Sequence, residues 1–284
     1  MPRQLSRRGL VLAVAGLFFS ACGPAESPAA VSRQQADTLV AEGARPLYPW
    51  GMPTTVHPGN VVLHNACFDV CYAPDLLTPL WAAYCYPGGV HGKFARRSFT
   101  NDPRFDPQAG PAREDFDGIY RQDRTGFDRG HVAPHASLNP FGLEAVKESY
   151  YVTNATPQHT NLNQGFWKWL EDSTRAWAGD GDTVWVVTGP VFYPGVENDR
   201  AKQGGRIPVP HAYFQAVVRM NRSGAFRTPE AQAFLVPHSA DGYAWAEAES
   251  FLVAIDSIEK VTGLDLFPLL PEALESAPAA PWWR

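Results

Sequence analysis

An α+β fold, with a central, largely antiparallel sheet flanked by helices, is what this sequence predicts, and three observations predict it. Runs rich in β-branched and aromatic residues recur at 79–86, 150–153, 183–187, 212–220 and 232–236, which is the composition of buried strands. The links between them are irregular, and 26 prolines with 24 glycines supply the turns. Strict strand–helix–strand alternation, the mark of a parallel sheet, is missing.

Taken in order, the chain opens on an address. Arg3, Arg7 and Arg8 precede an apolar run over 10–19 and then Ser20-Ala21-Cys22. A basic start, a short apolar stretch and small residues at its end describe an export signal over 1–22. The stretch is too short for a spanning helix. Ser6-Arg7-Arg8-Gly9-Leu10 resembles a twin-arginine signal, and Phe19-Ser20-Ala21-Cys22 resembles a bacterial lipobox with Phe for the usual Leu. Two processing routes stay open: lipidation of Cys22, or ordinary cleavage near Ala21. Residues 23–46 are rich in Ala, Pro, Ser, Gln and Glu and read as a tether. The folded domain is expected over 47–272, with an Ala/Pro-rich tail over 273–284.

Composition narrows the function. The net charge of −5 argues against a protein that coats nucleic acid, which would carry a basic excess. A polyanionic substrate would instead have to be met by a local arginine patch. Among the cysteines beyond the signal, Cys67 and Cys71 are expected to form a disulfide in an exported protein, and Cys85, in an apolar run, a buried thiol. The other elements are a short helix over 141–149, a helix over 163–178, a turn at Thr188-Gly189-Pro190 after the 183–187 strand, and a helix capped by Asp256 or Ser257 that ends at Gly263.

Chemistry concentrates in two segments. The first is Gly126-Phe127-Asp128-Arg129-Gly130-His131. A neutral imidazole at His131 can accept a proton near neutral pH, and Arg129 offers a planar fork suited to phosphate oxygens. Asp128 is read as holding the turn, in preference to orienting the ring or binding a metal. His131 and His135 have the spacing of a zinc-binding helical pair, but Pro134 interrupts that helix and Val132 stands where the glutamate would be. The second segment runs from Asn154 to Glu171. On its helix Asn163, Trp167 and Glu171 recur every four residues, and an asparagine carbonyl with a carboxylate can hold a hard cation, partly through water. Spacing alone leaves a second reading equally open, in which Asn163 starts the helix and Glu171 is solvated or pairs with Arg175.

Together these segments resemble the DNA/RNA non-specific endonuclease family, which includes secreted bacterial sugar-nonspecific nucleases and mitochondrial endonuclease G. Asp128-Arg129-Gly130-His131, Asn154 with Pro157-Gln158, Leu162-Asn163, Trp167 and Leu170-Glu171 match its hallmark in order and spacing. Arg97 to Pro103, Thr188-Gly189-Pro190 and Ile207 to Pro210 extend the match. The resemblance implies a ββα-metal nuclease fold with His131 as general base and Asn163 as the single direct protein ligand of Mg²⁺, for which Mn²⁺ can substitute. It further implies that Glu171 holds metal waters, that Arg97 and Arg129 clamp the phosphate, and that Asn154 and Gln158 brace the site. The implied activity is cleavage of DNA and RNA with little sequence preference, leaving 5′-phosphates. Homodimers occur among relatives; no inhibitor is marked in the sequence. The location implied by the signal is outside the bacterial cytoplasm: periplasmic, lipid-anchored or extracellular. Two alternatives use the same residues or the same fold: an exported phosphodiesterase for small nucleotides, and a non-catalytic nucleic-acid-binding domain.

Overall fold

A computed structural model describes residues 47–54, 59–105, 111–117, 126–179, 182–202, 204–221, 228–276, 278 and 280–282. The export signal, the tether and Cys22 lie outside them. Strands β1 (Val61–His64), β2 (Phe68–Ala73), β3 (Thr78–Pro87), β6 (Thr183–Val191), β7 (Ala212–Asn221), β8 (Thr228–Pro237) and β9 (Leu252–Val253) form one seven-stranded sheet. Its order is β1-β2-β3-β6-β7-β8-β9, and every pairing in it is antiparallel. β4 (Phe127–His131) and β5 (Ala155–His159) form a separate antiparallel ribbon, with Asp128 opposite Gln158 and His131 opposite Ala155.

Alternation of side chains along the strands divides the core between the two faces of the sheet. Trp81, Ala83, Cys85, Trp185, Phe214 and Ala216 pack on one face with Ile255 and Ile258. These two belong to helix α4 (Ile255–Thr262), which ends at the left-handed Gly263. Ala82, Tyr84, Tyr86, Val184 and Val186 pack on the other face with Val132, Ala133 and Leu138, the chain that follows the histidine of β4. Leu138 closes the short helix α1 (His135–Leu138), and α2 (Leu143–Ser149) follows. On this second face a wide helical turn, Leu162–Trp167, continues into α3 (Lys168–Trp177). Its Leu162, Phe166, Trp167 and Leu170 pack on Tyr213, Phe234 and Val236 of the sheet. The candidate site therefore sits on one face, with α4 backing the other. A last helix, α5 (Glu272–Glu275), follows, and the tail is held beyond it: Trp282 stacks edge-on with Trp177 and lies over Arg219.

Several expectations need correction. Cys67 and Cys71 do not form the expected disulfide; both stand as thiols, as does Cys85. The reason is that Cys67 lies in the bend before β2, outside the strand's alternation: Cys71 is on the face that holds Trp81, whereas Cys67 packs against the opposite cluster. Burial pushes the Cys85 thiol up to about 12. Residues 150–153 form no strand beyond a single parallel bridge between Thr100 and Tyr151; Val152–Asn154 is a 3-10 turn, and the true strand starts at Ala155. Thr188-Gly189-Pro190 is no turn either. β6 runs straight through it, pairing with β7 as far as Val191 while its register with β3 ends at Thr188, so Pro190 stands where no ladder bond to β3 is required of it. Finally, α4 starts after Ala254 with no side-chain cap from Asp256 or Ser257.

Candidate active site

The ribbon and the helix after it place the site residues. Gly130 is required by close packing: a Cβ there would lie 2.3 Å from Gln158 Oε1 and 2.8 Å from its Cβ. With that side chain folded under it, β4 can bring His131 to the end of the ribbon. Asn154 then fixes the next turn. Its Oδ1 accepts from Ala133 N at 2.8 Å, and its Nδ2 donates to the carbonyls of Ala133 and Ser149, both at 2.9 Å. Asp102 does similar work upstream, accepting from Arg104 and, at 2.7 Å, from the Thr153 hydroxyl. It thereby fastens the arginine-bearing loop before it to the turn that carries Asn154.

The His131 ring is wedged between Phe99 and Tyr150, each 4.7 Å away by centroids. Its Nε2 is fully buried and has no hydrogen-bond partner, so Nδ1 is the nitrogen left to meet the cleft. Burial first, then His135 and Arg96, push the imidazole down to about 3. The ring is neutral at every ordinary pH, as a proton acceptor must be before it acts.

Across the cleft stands Asn163, and Asp128 dictates its orientation. The Asp128 carboxylate accepts from Asn163 Nδ2 at 2.9 Å, Gln164 Nε2 at 2.8 Å and Thr160 Oγ1 at 3.1 Å. With its nitrogen so engaged, Asn163 has its carbonyl oxygen left for a ligand. Asp128 thus ties strand to helix as well as holding a turn. Glu171 lines the same cleft, and burial lifts its carboxyl to about 8 despite Arg175 nearby. Asn163 and Glu171 converge although Trp167, expected on their face, is turned into the core. The cause is a break at Gly165, whose φ −100 and ψ −108 are not helical.

The cleft encloses about 730 Å³ and is lined by Arg97, Asp128, Arg129, His131, Asn163 and Glu171, together with Arg96, His135, Tyr150, Gln164, Lys168 and Arg175. Of the expected site residues, Asn154 and Gln158 stand behind it as buried supports. Arg129 is nearly buried, 3.9 Å from Asp117 and over the Phe99 ring. Lys168 and Arg175 both pair with Asp172. Arg96 and Arg97 are exposed and form no ion pair among the described residues, which leaves them for an anionic ligand. Sequence reasoning missed Arg96, although it adjoins Arg97, and also the aromatic walls Phe99 and Tyr150, which carry no chemical signal of their own. His159 faces away from this cleft, stacked on Phe127 at 4.3 Å.

A sequence profile described as DNA/RNA non-specific endonuclease matches residues 46–273. The chain belongs to that family. It is 33% identical over 202 residues to the nuclease of Serratia marcescens, covering 69% of this chain and 71% of that protein. It is 29% identical over 235 residues to the mitochondrial nuclease EXOG of Xenopus laevis, covering 79% of this chain and 62% of the relative's length. In fold it is similar to a crystal structure described as the EndoG/EndoGI complex, with a TM-score of 0.64 and 21% identity over 87% of this chain and 96% of that one. The ββα-metal nuclease fold expected for the chain is therefore present: β4, β5 and the helix carrying Asn163 are its two strands and helix.

Proposed function

We propose that this chain is an exported, metal-dependent endonuclease that hydrolyses DNA and RNA with little sequence preference and leaves 5′-phosphates. One observation carries the reading: a neutral histidine with one nitrogen open to a cleft also lined by two uncommitted arginines and, opposite, by Asn163 and Glu171. Family membership supports it, since the relatives are named nucleases.

The donor set fits a water-rich divalent cation. Among the described residues no three His, Cys, Asp or Glu side chains cluster as metal ligands, so these residues offer a cation no cage of carboxylates. A single oriented amide oxygen, with the Glu171 carboxyl lining the same cleft, suits one that keeps most of its waters. Asn163 would bind Mg²⁺, or Mn²⁺ in its stead, and Glu171 would hold its waters. Such an ion stabilises negative charge on the phosphate and on the leaving 3′ oxygen.

The chain's own residues do the rest. Arg96, Arg97 and Arg129 seat the phosphate. An anion bound there offsets the Arg96 charge that helps depress His131, so the substrate itself raises the basicity of its base. His131 Nδ1 then takes a proton from the water that attacks phosphorus. Contacts made by these arginines to phosphate carry no direct sequence information, hence the broad substrate range, and they make the rate fall with added salt.

The deciding assay is digestion of plasmid, RNA and a small chromogenic phosphodiester with Mg²⁺ or EDTA, by wild type, His131→Ala and Asn163→Ala. Metal-dependent cleavage of both polymers that is lost in both variants is expected. Turnover of the small ester alone would overturn the reading in favour of a nucleotide phosphodiesterase. Folded wild type that cleaves nothing would point to a binding domain.

A further inference from the structure

A second cleft of about 700 Å³ adjoins the first, and its chemistry is different. Gln164 lines both, and Asp128 holds Gln164 with the same oxygen that holds Asn163. The second cleft therefore begins one residue from the asparagine of the catalytic site. Its lining includes no lysine or arginine. It presents His159, Thr160, the amides Asn161 and Gln164, and the exposed carboxylate Asp241. Burial pushes the His159 imidazole down, and its ring is fixed between Phe127 at 4.3 Å and His238 at 4.5 Å. Two further walls are bare backbone: Gly126, at φ +78, and Gly165 both have open space where a Cβ would stand.

Among the described residues such a site has a carboxylate and no cation to pair with a phosphate. An aliphatic group is unsuited to walls of amides, hydroxyl and carboxylate. A flat, uncharged heteroaromatic ring with N–H donors and carbonyl acceptors on its edge matches it, because the open glycine backbone at Gly126 and Gly165 accepts a flat face while amides and carboxylate read an edge. We propose that this second cleft holds the nucleobase of the nucleotide on one side of the scissile phosphate, with Asp241 and Asn161 contacting its edge. The proposal rests on the nuclease reading above. It gives the enzyme a grip on one base next to the cut while sequence elsewhere goes unread.

The test uses end-labelled single-stranded oligonucleotides in which one abasic position is moved stepwise along the strand. Wild type should cut the bond on one side of the abasic position about tenfold more slowly, the scale of one stacked base, with other bonds unaffected. In Asp241→Ala/Asn161→Ala the penalty should shrink to within about twofold, because the intact strand has then lost the same contact and is itself cut more slowly. Equal cutting of every bond beside the gap by active wild type would overturn the proposal and leave the nuclease reading standing. A penalty that persists undiminished in the double variant would also overturn it. Absence of any cleavage by wild type would remove the reading on which it rests.

Discussion

Replacing Asp128 with alanine removes the acceptor for three donors at once: Thr160 Oγ1, Asn163 Nδ2 and Gln164 Nε2. Hydrogen bonds to a charged group contribute about 1.5–3 kcal/mol each, but this carboxylate is half-exposed and solvent replaces part of that, so about 2 kcal/mol of stability is a fair total. For a chain of this size the loss corresponds to about 4–8 °C in melting temperature. The effect on the site is separable. Freed from Asp128, the Asn163 side chain has about three χ1 wells and two amide orientations, so about one state in six offers the oxygen as before. Metal affinity falls in proportion to that fraction, and the Mg²⁺ concentration for half-maximal activity should rise about sixfold. At saturating Mg²⁺ the turnover should stay within about twofold of wild type, because His131 and the arginines are untouched. Initial rates of plasmid nicking over a Mg²⁺ titration, beside thermal melts, measure both effects. An unchanged Mg²⁺ midpoint in a folded variant would refute the orienting role, and so would a turnover that collapses at every Mg²⁺ concentration.

Four other outcomes are expected. His131→Ala should cut plasmid cleavage by about 10²–10⁴-fold, the usual contribution of a general base, and should lower the melting temperature somewhat, since it removes a ring packed between Phe99 and Tyr150. Acid should destabilise the fold through two histidines: His131 at about 3 and His238 at about 4 both lie below the unfolded value of about 6.5. Their contribution is full above that value and is lost as pH falls towards the folded values, with a slope of up to about 1.4 kcal/mol per pH unit per group. Glu171, lifted to about 8, and Glu275, lifted to about 7, act in the opposite sense over the same range, so the readout is the difference between proteins: from pH 7 to pH 4 the melting temperature of wild type should fall relative to that of His131→Ala. Gly130→Ala should cost about 1–3 kcal/mol by overpacking against Gln158, read from urea unfolding. Alkylation of denatured but unreduced protein should label both Cys67 and Cys71, and a mass shift showing them joined would contradict their placement on opposite faces.

The residues of the candidate site were the most legible part of the sequence. Asp128 to His131 and Asn154 to Glu171 were recognisable because side-chain type and spacing are both constrained at such a site. The physical reasons for several of them were not. Nothing in the order of residues says that Gly130 is small because Gln158 folds beneath it, or that Asp128 serves chiefly to turn the amide of Asn163. Gly165 reads as a tolerated glycine within a helix, yet the break there lets Asn163 and Glu171 converge while Trp167 turns inward. Short apolar runs misled in a different way. Residues 150–153 have strand composition, but the partner needed to extend their one bridge is absent. The cysteine pair failed because sequence separation carries no record of which side of a sheet each sulfur occupies. Asp102 fell within the matched stretch, but its fastening role was not legible because its partners lie up to fifty-one residues away.

The two-stranded ribbon β4–β5 is not woven into the seven-stranded sheet; the Tyr213 hydroxyl reaches across from the sheet to donate to Pro157 O at 2.7 Å and lies 3.0 Å from Thr156 Oγ1. The catalytic unit is thus a module mounted on a wall. Strands of the wall can drift in sequence, or gain and lose loops at its far end, without moving a reacting atom, provided the mounting tyrosine and the apolar footprint beneath the helix persist. The module, by contrast, has little slack: each turn of it is pinned by a named polar side chain. Variation between lineages should accordingly accumulate in the wall and stall in the module, and an engineer wishing to re-house this chemistry would carry over the ribbon, the turn braced by Asn154 and the broken helix as one piece.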